Sequence, residues 1–219
     1  MRAIFQKPLS IFIFLSAIWW FVGGMLYLIF GEYALFKTIN GFHNPILDVI
    51  AYYGTQVGEA FIMVTVILII FIAKKEFRNV RFIITALVTL TIPALLINLL
   101  KMVADAPRPL TVFTGEKWLH FLPYYKNNFW NSLPSGHTSG AFSFAVFLSY
   151  LLHHKFKNWA IIFFLIALFC GWTRIYLAQH FFIDILLGSI IGTVFTLIII
   201  IFINKIFNKK LLKNNSLKA

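Results

Sequence analysis

The chain alternates long apolar runs with short polar breaks. Six apolar stretches stand out, at about residues 9–30, 51–73, 80–100, 139–152, 159–172 and 181–203. A helix needs about 20 largely apolar residues to cross roughly 30 Å of hydrocarbon. The fourth and fifth stretches are short by that measure, but each can extend into a flanking polar cluster, as a helix end buried in protein does. The pattern predicts an all-α chain: a polytopic membrane helix bundle with six transmembrane helices, forming a single membrane-embedded domain over residues 1–219. Arg2 and Lys7 precede the first stretch in the manner of a signal peptide. That stretch is longer than the usual 7–15 apolar residues of such a segment and lacks a clear small-residue cleavage site, so it reads as a retained anchor.

Composition strengthens the membrane reading. The chain is 60% hydrophobic and 12% charged, against roughly a quarter charged in a soluble domain. A net charge of +12 raises nucleic acid as a partner, but the basic residues lie between apolar runs and form no basic face on a soluble domain, so nucleic acid is excluded. Cys170, the single cysteine, leaves no partner for an internal disulfide. Cytoplasmic loops collect Lys and Arg. With the N-terminus inside, 13 of the 19 basic residues fall on the inner side: Arg2, Lys7, Lys74, Lys75, Arg78, Arg81, Lys155, Lys157, Lys205, Lys209, Lys210, Lys213 and Lys218. Of the acidic residues only Glu76 falls there. Both termini are therefore expected in the cytoplasm.

Three polar clusters sit at ends of the apolar stretches, all on the outer side in this arrangement: 101–109 (KMVADAPRP), 134–137 (PSGH) and 173–184 (TRIYLAQHFFID). Ionisable groups at membrane depth are costly and mark a functional site by default. His180 and Asp184 are four apart, a spacing that stacks them on one helix face with the carboxylate positioned to accept the imidazole Nδ1 proton. A neutral imidazole held in one tautomer suits a nucleophile or general base. Ser135 is suited to cap the following helix, Gly136 permits close backbone approach, and helix N-termini of this kind bind phosphate. His137 adds a second titratable imidazole. Lys101, Arg108 and Arg174 supply one point charge and two planar forks, a set suited to a phosphate monoester. Snorkelling at helix ends is the plain alternative for these cations.

The order Lys, six residues, Arg-Pro; then Pro-Ser-Gly-His; then a small hydroxyl residue, Arg, five residues, His, three residues, Asp resembles the three-part signature of the type 2 phosphatidic acid phosphatase superfamily. Members are six-helix integral-membrane lipid phosphatases related in their core to vanadium haloperoxidases. The resemblance covers the helical core from about residue 101 to 188, and the span layout extends the likeness over nearly the whole chain. The resemblance implies that His180 attacks phosphorus to form a phosphohistidine, oriented by Asp184. It implies that His137 protonates the leaving oxygen and later helps activate water. Lys101, Arg108 and Arg174, with the Ser135 hydroxyl and the Gly136 amide, would hold the phosphoryl oxygens. The family works without a metal or other cofactor, and the sequence holds no separate carboxylate cluster for Mg²⁺. One position departs from the pattern: Thr173 stands where the family usually has Ser. Thr keeps the hydroxyl expected to bond a phosphate oxygen.

The partner so implied is a lipid phosphate in a bacterial inner membrane, with no obligate protein partner evident. Undecaprenyl pyrophosphate, a phosphate of lipid A, phosphatidylglycerol phosphate and phosphatidic acid all remain open as substrates. A phosphotransferase using the same site and a non-enzymatic anion transporter are the competing classes; transporters often carry inverted repeats or broken helices, and neither is visible in the sequence. The connection over residues 109–133 is rich in Trp, Tyr and Phe and reads as an interfacial aromatic belt or as a lip over the site. Gly188 and Gly192 have the spacing of a close helix contact, chiefly within the chain.

Overall fold

The computed structural model describes residues 6–152 and 156–216, the last eight of these as backbone only. Arg2, Lys155 and Lys218 lie outside the described residues. With no water in hydrocarbon to satisfy N–H and C=O groups, a spanning chain must form helices or a closed barrel, and among the described residues the structure is helical. The helices are α1 (Lys7–Gly41), α2 (Pro45–Gly54), α3 (Ala60–Ala73), α4 (Val80–Ala104), α5 (Pro109–Val112), α6 (Gly136–Leu151), α7 (Trp159–Tyr176) and α8 (Phe182–Ser216).

The outer surface is apolar, with Phe14, Phe21, Leu28, Ile69, Leu87, Leu95, Ile198 and Phe202 all exposed. Many hydroxyls lie inside, among them Ser16, Thr85, Thr89, Ser139, Ser143, Thr193 and Thr196. This inversion of the water-soluble pattern marks a multi-pass membrane protein.

Four helices, α1, α4, α7 and α8, are each long and apolar enough to cross a membrane. A fifth crossing requires α2 and α3 together, and these are bent by 61° where the 3-10 helix Thr55–Gly58 and Glu59 interrupt them. The expected second span over 51–73 thus takes the form of a broken helix pair. The largely polar run Gly54-Thr55-Gln56-Val57-Gly58-Glu59 packs against α6 and α7, with Thr55 buried and Gln56 and Glu59 left exposed. The expected six spans become four or five by length and composition, because α6 has only 16 residues, about 24 Å at 1.5 Å per residue. Ten of those residues are buried, and α6 packs against α1, α4, α7 and α8. It is the central helix, surrounded by protein, and does not have to match the lipid.

Two contacts position the site. α6 and α8 meet closely: a Cβ on Gly188 would lie 2.7 Å from the Ser135 carbonyl oxygen, and one on Gly192 would lie 2.3 Å from that of Ser139. The small-residue pair therefore serves packing within the chain. α1 breaks at Gly31 (φ 74°, ψ 168°), and Glu32 just beyond accepts the N–H groups of Phe182 (2.7 Å) and Ile183 (3.4 Å). Those first amides of α8 have no partner within their own helix, and a carboxylate there also complements the helix dipole.

Candidate active site

The three clusters meet at one end of the bundle. Lys101 is in the last turn of α4, Arg108 precedes α5, Ser135, Gly136 and His137 open α6, Arg174 is in the last turn of α7, and His180 and Asp184 flank the start of α8. Direct bonds tie them together. The Ser135 N–H donates to the Asp184 carbonyl oxygen at 3.0 Å. Arg108 donates from Nη1 to the Gln179 carbonyl oxygen (3.0 Å) and side-chain Oε1 (3.1 Å).

His180 and Asp184 pair as their spacing predicts, with His180 Nδ1 3.2 Å from Asp184 Oδ2. The route differs from the expected helix face. His180 lies in the turn before α8, which starts at Phe182. Oδ2 also accepts the Phe181 N–H at 2.9 Å and the Ser132 hydroxyl at 2.5 Å. Asp184 thus closes a cap around the turn and presents one oxygen to three donors. The turn itself is held from the other side by the Arg174 carbonyl oxygen, which accepts from the Gln179 N–H (2.9 Å) and the His180 N–H (3.2 Å). Ala178 sits in the left-handed region (φ 53°), a conformation costing about 1–2 kcal/mol for a residue with a Cβ, which the surrounding bonds hold in place. Both His180 and Asp184 are buried. Burial, then the charges of Arg108, Arg174 and Lys101, hold the His180 imidazole well below the ordinary histidine range. It is neutral at physiological pH, with Nδ1–H committed to Asp184 and Nε2 left as the lone-pair nitrogen.

The three cations differ in how far they are already engaged. Arg108, buried, makes four hydrogen bonds, to the carbonyl oxygens of Trp130, Asn131 and Gln179 and to Gln179 Oε1. At most one of its five N–H groups remains for a ligand. Its charge nevertheless persists, since burial and the neighbouring Arg174 bring its pKa only to about 10. Lys101 Nζ donates to the Asn131 carbonyl oxygen at 2.9 Å. Arg174 donates from Nη1 to Thr55 Oγ1 (2.8 Å) and to the Tyr125 hydroxyl (2.6 Å), while its buried Nε has no partner.

Ser135 caps α6 as expected: its buried Oγ receives the Thr138 hydroxyl at 2.9 Å and the Thr138 N–H at 3.4 Å. Gly136 and His137 form the first turn of that helix. His137 is partly exposed, with Nε2 2.8 Å from Glu59 Oε1. The Thr173 hydroxyl is buried and donates to the Cys170 carbonyl oxygen at 2.7 Å. It is thus bonded within α7.

The profile of the PAP2 superfamily matches residues 82–208, more than half of the chain and all three clusters. The chain belongs to the PAP2 superfamily. Among characterised relatives of this PAP2 protein is the lipid A 4'-phosphatase of Porphyromonas gingivalis, 29% identical over 175 aligned residues that span 78% of this chain and 72% of the relative. The crystal structure of Aquifex aeolicus LpxE superposes with a TM-score of 0.63 at 28% identity, over 80% of this chain and 94% of that one. A transmembrane PAP2-type phosphatidylglycerolphosphate phosphatase from Bacillus subtilis superposes with a TM-score of 0.64 over 94% of this chain and 98% of its own, at 22% identity, which shows a shared fold.

Several residues of this PAP2 site escaped the sequence reading. Gln179 lies inside the third cluster and Ser132 two residues before the second, and their position was a usable signal. Tyr125 belongs to the aromatic connection, whose backbone carbonyls at Trp130 and Asn131 hold Arg108 and Lys101; the connection is therefore part of the site wall as well as aromatic. Thr55 and Glu59 lie before the matched residues, and their only signal was the polar interruption of an apolar run.

Proposed function

We propose that this PAP2 protein is a lipid phosphatase that hydrolyses a terminal phosphate from a membrane lipid through a phosphohistidine on His180, without a metal. The observation that carries the reading is the buried His180 whose Nδ1 lies 3.2 Å from Asp184 Oδ2 and which shares its site with Lys101, Arg108 and Arg174. Nε2 of His180 attacks phosphorus as the bond to the leaving oxygen breaks. His137 delivers the proton to that oxygen, and the cations with the Gly136 amide neutralise charge on the three phosphoryl oxygens. Water then attacks the phosphohistidine, giving its proton to His137, and releases inorganic phosphate.

A lipid substrate is supported by the groove between α3 and α4. Its volume is about 560 Å³, it is lined by Val64, Leu68, Leu87, Leu90 and Leu95, and it reaches Ala60 and Asn98 beside the site. An acyl chain fits such a channel. The relative from Porphyromonas gingivalis makes a phosphate of lipid A the first substrate to test. In the cell we place the protein in a bacterial inner membrane with six crossings, α6 included, both termini cytoplasmic and the site facing outward, on the charge distribution of the loops.

The test is release of inorganic phosphate by purified protein from lipid A, undecaprenyl pyrophosphate, phosphatidylglycerol phosphate and phosphatidic acid, each with chelator present. His180→Ala and His137→Ala, inserted normally, lose at least about a hundredfold of rate. Near wild-type turnover in either variant, or phosphate release that stops with chelator, overturns the mechanism. Transfer of the label to a second lipid in place of free phosphate identifies a phosphotransferase.

A further inference from the structure

The break between α2 and α3 approaches the site at two points. Thr55, at its start, accepts a hydrogen bond from Arg174 Nη1 at 2.8 Å. Glu59, at its end, places Oε1 2.8 Å from Nε2 of His137. Between them, Gly58 lies so near α6 and α7 that a Cβ there would meet the Cys170 sulfur at 2.8 Å and the His137 Cβ at 2.9 Å. The segment is thus packed against the helix that bears His137, and the contact from Glu59 is part of that packing.

We propose that Glu59 is the positioning carboxylate of His137, so that the site contains two carboxylate–imidazole pairs, the second supplied by the break in the second crossing and not by any of the three signature clusters. The inference rests on the lipid phosphatase reading, in which His137 serves the leaving oxygen. With Nε2–H donating to Glu59, the nitrogen left for chemistry is Nδ1. In the first step the Nδ1 proton passes to the leaving oxygen as its bond to phosphorus breaks. In the second step the Nδ1 lone pair takes a proton from the water that attacks the phosphohistidine. The Nε2 proton stays between imidazole and carboxylate throughout. Glu59 stabilises the imidazolium that donates in the first step and re-forms in the second, and it holds the ring so that one nitrogen only is free.

The pair is accessible to solvent, Glu59 being 47% and His137 24% exposed. Exposed pairs of this kind contribute little to stability, so the substitution leaves the fold intact and its effect falls on rate. A carboxylate kept for structure alone would act the same with or without His137; one that acts through the imidazole has no effect once the imidazole is gone.

The experiment is a double-mutant cycle on the lipid that wild-type protein hydrolyses fastest, in detergent micelles, with kcat and KM measured separately. Glu59→Gln lowers kcat by about tenfold, a part of the hundredfold or more contributed by a general acid, and leaves KM within about twofold. Glu59→Asp recovers part of the loss. In the His137→Ala background, adding Glu59→Gln costs less than about twofold more. Losses that multiply in the double variant, or a Glu59→Gln protein with wild-type kcat, overturn the inference and leave the phosphatase reading standing. Absence of phosphate release by wild-type protein, or full activity in His180→Ala, removes the phosphatase reading and the role of Glu59 with it.

Discussion

The contact between α6 and α8 sets the distance between His137 on one helix and the His180–Asp184 pair at the start of the other, and thickening it by one methyl group tests whether that distance matters. In Gly192→Ala the new Cβ would sit 2.3 Å from the Ser139 carbonyl oxygen and 3.0 and 3.1 Å from the Ser139 carbonyl carbon and Cα. Ordinary carbon–oxygen contacts begin near about 3.3 Å, so the helices must part by about 1 Å. In Gly188→Ala the contact is 2.7 Å to the Ser135 carbonyl oxygen, which calls for about 0.6 Å on the same scale. Neither carbonyl can turn aside cheaply; that of Ser135 already accepts the Ser139 N–H at 3.0 Å. His137 rides on α6 and Asp184 on α8, so separation draws His137 away from the His180–Asp184 pair and strains the Ser135 to Asp184 backbone bond. A misplacement of about 1 Å costs on the order of a hundredfold in rate, and overpacking costs about 1–3 kcal/mol of stability. Gly188→Ala should therefore lose about tenfold in kcat, Gly192→Ala between about tenfold and a hundredfold, and both should melt earlier. Phosphate release and the melting temperature by tryptophan fluorescence read the two effects. Gly24→Ala, with no atom within 4 Å of its new Cβ, should change neither. Wild-type rate and melting in Gly188→Ala would refute the argument that helix contact sets the site.

Two further outcomes follow from the His180 pair. Asp184→Asn removes the charge that supports the imidazole and disturbs an oxygen shared by His180, Phe181 and Ser132. By analogy with other carboxylate-oriented histidines it should lower kcat by about 10³–10⁴, and a loss below about tenfold contradicts the orienting role. In the proposed mechanism protonation of His180 removes the lone pair needed for attack, and because burial and three cations lower the His180 pKa, its titration moves to acid pH. The kcat/KM profile should show no acid-side decline as pH falls through 6.5, the ordinary histidine value, and should fall only below it. An acid limb centred at or above that value would show that His180 is not held neutral in the way described.

The local character of the site was legible because its chemistry is encoded in short spacings. A histidine and an aspartate four apart meet whether they stack on a helix or, as here, close a turn around its first residues. Ser135 caps α6 because a hydroxyl before a helix has few better acceptor roles. The number of crossings was less legible, since hydropathy reads lipid exposure and α6 has little of it. A 16-residue helix enclosed by four others needs no full-length apolar stretch. The bend at Glu59, just after the 3-10 turn Thr55–Gly58, was hidden for the opposite reason: apolar residues on both sides masked a short polar break that only its packing against α6 and α7 makes intelligible.

By itself, the sequence determined the membrane class, the helical architecture, the family and the identity of the clustered ionisable residues, because cost in hydrocarbon and short-range spacing act along the chain. Tertiary structure alone decided how those residues are engaged. It turned Arg108 largely inward onto backbone carbonyls, left Arg174 Nε buried without a partner, bonded the Thr173 hydroxyl within its own helix, and brought Glu59 to His137 across 78 positions of sequence. Such contacts depend on which helix ends converge and how closely glycine lets them approach, and no periodicity along the chain records that.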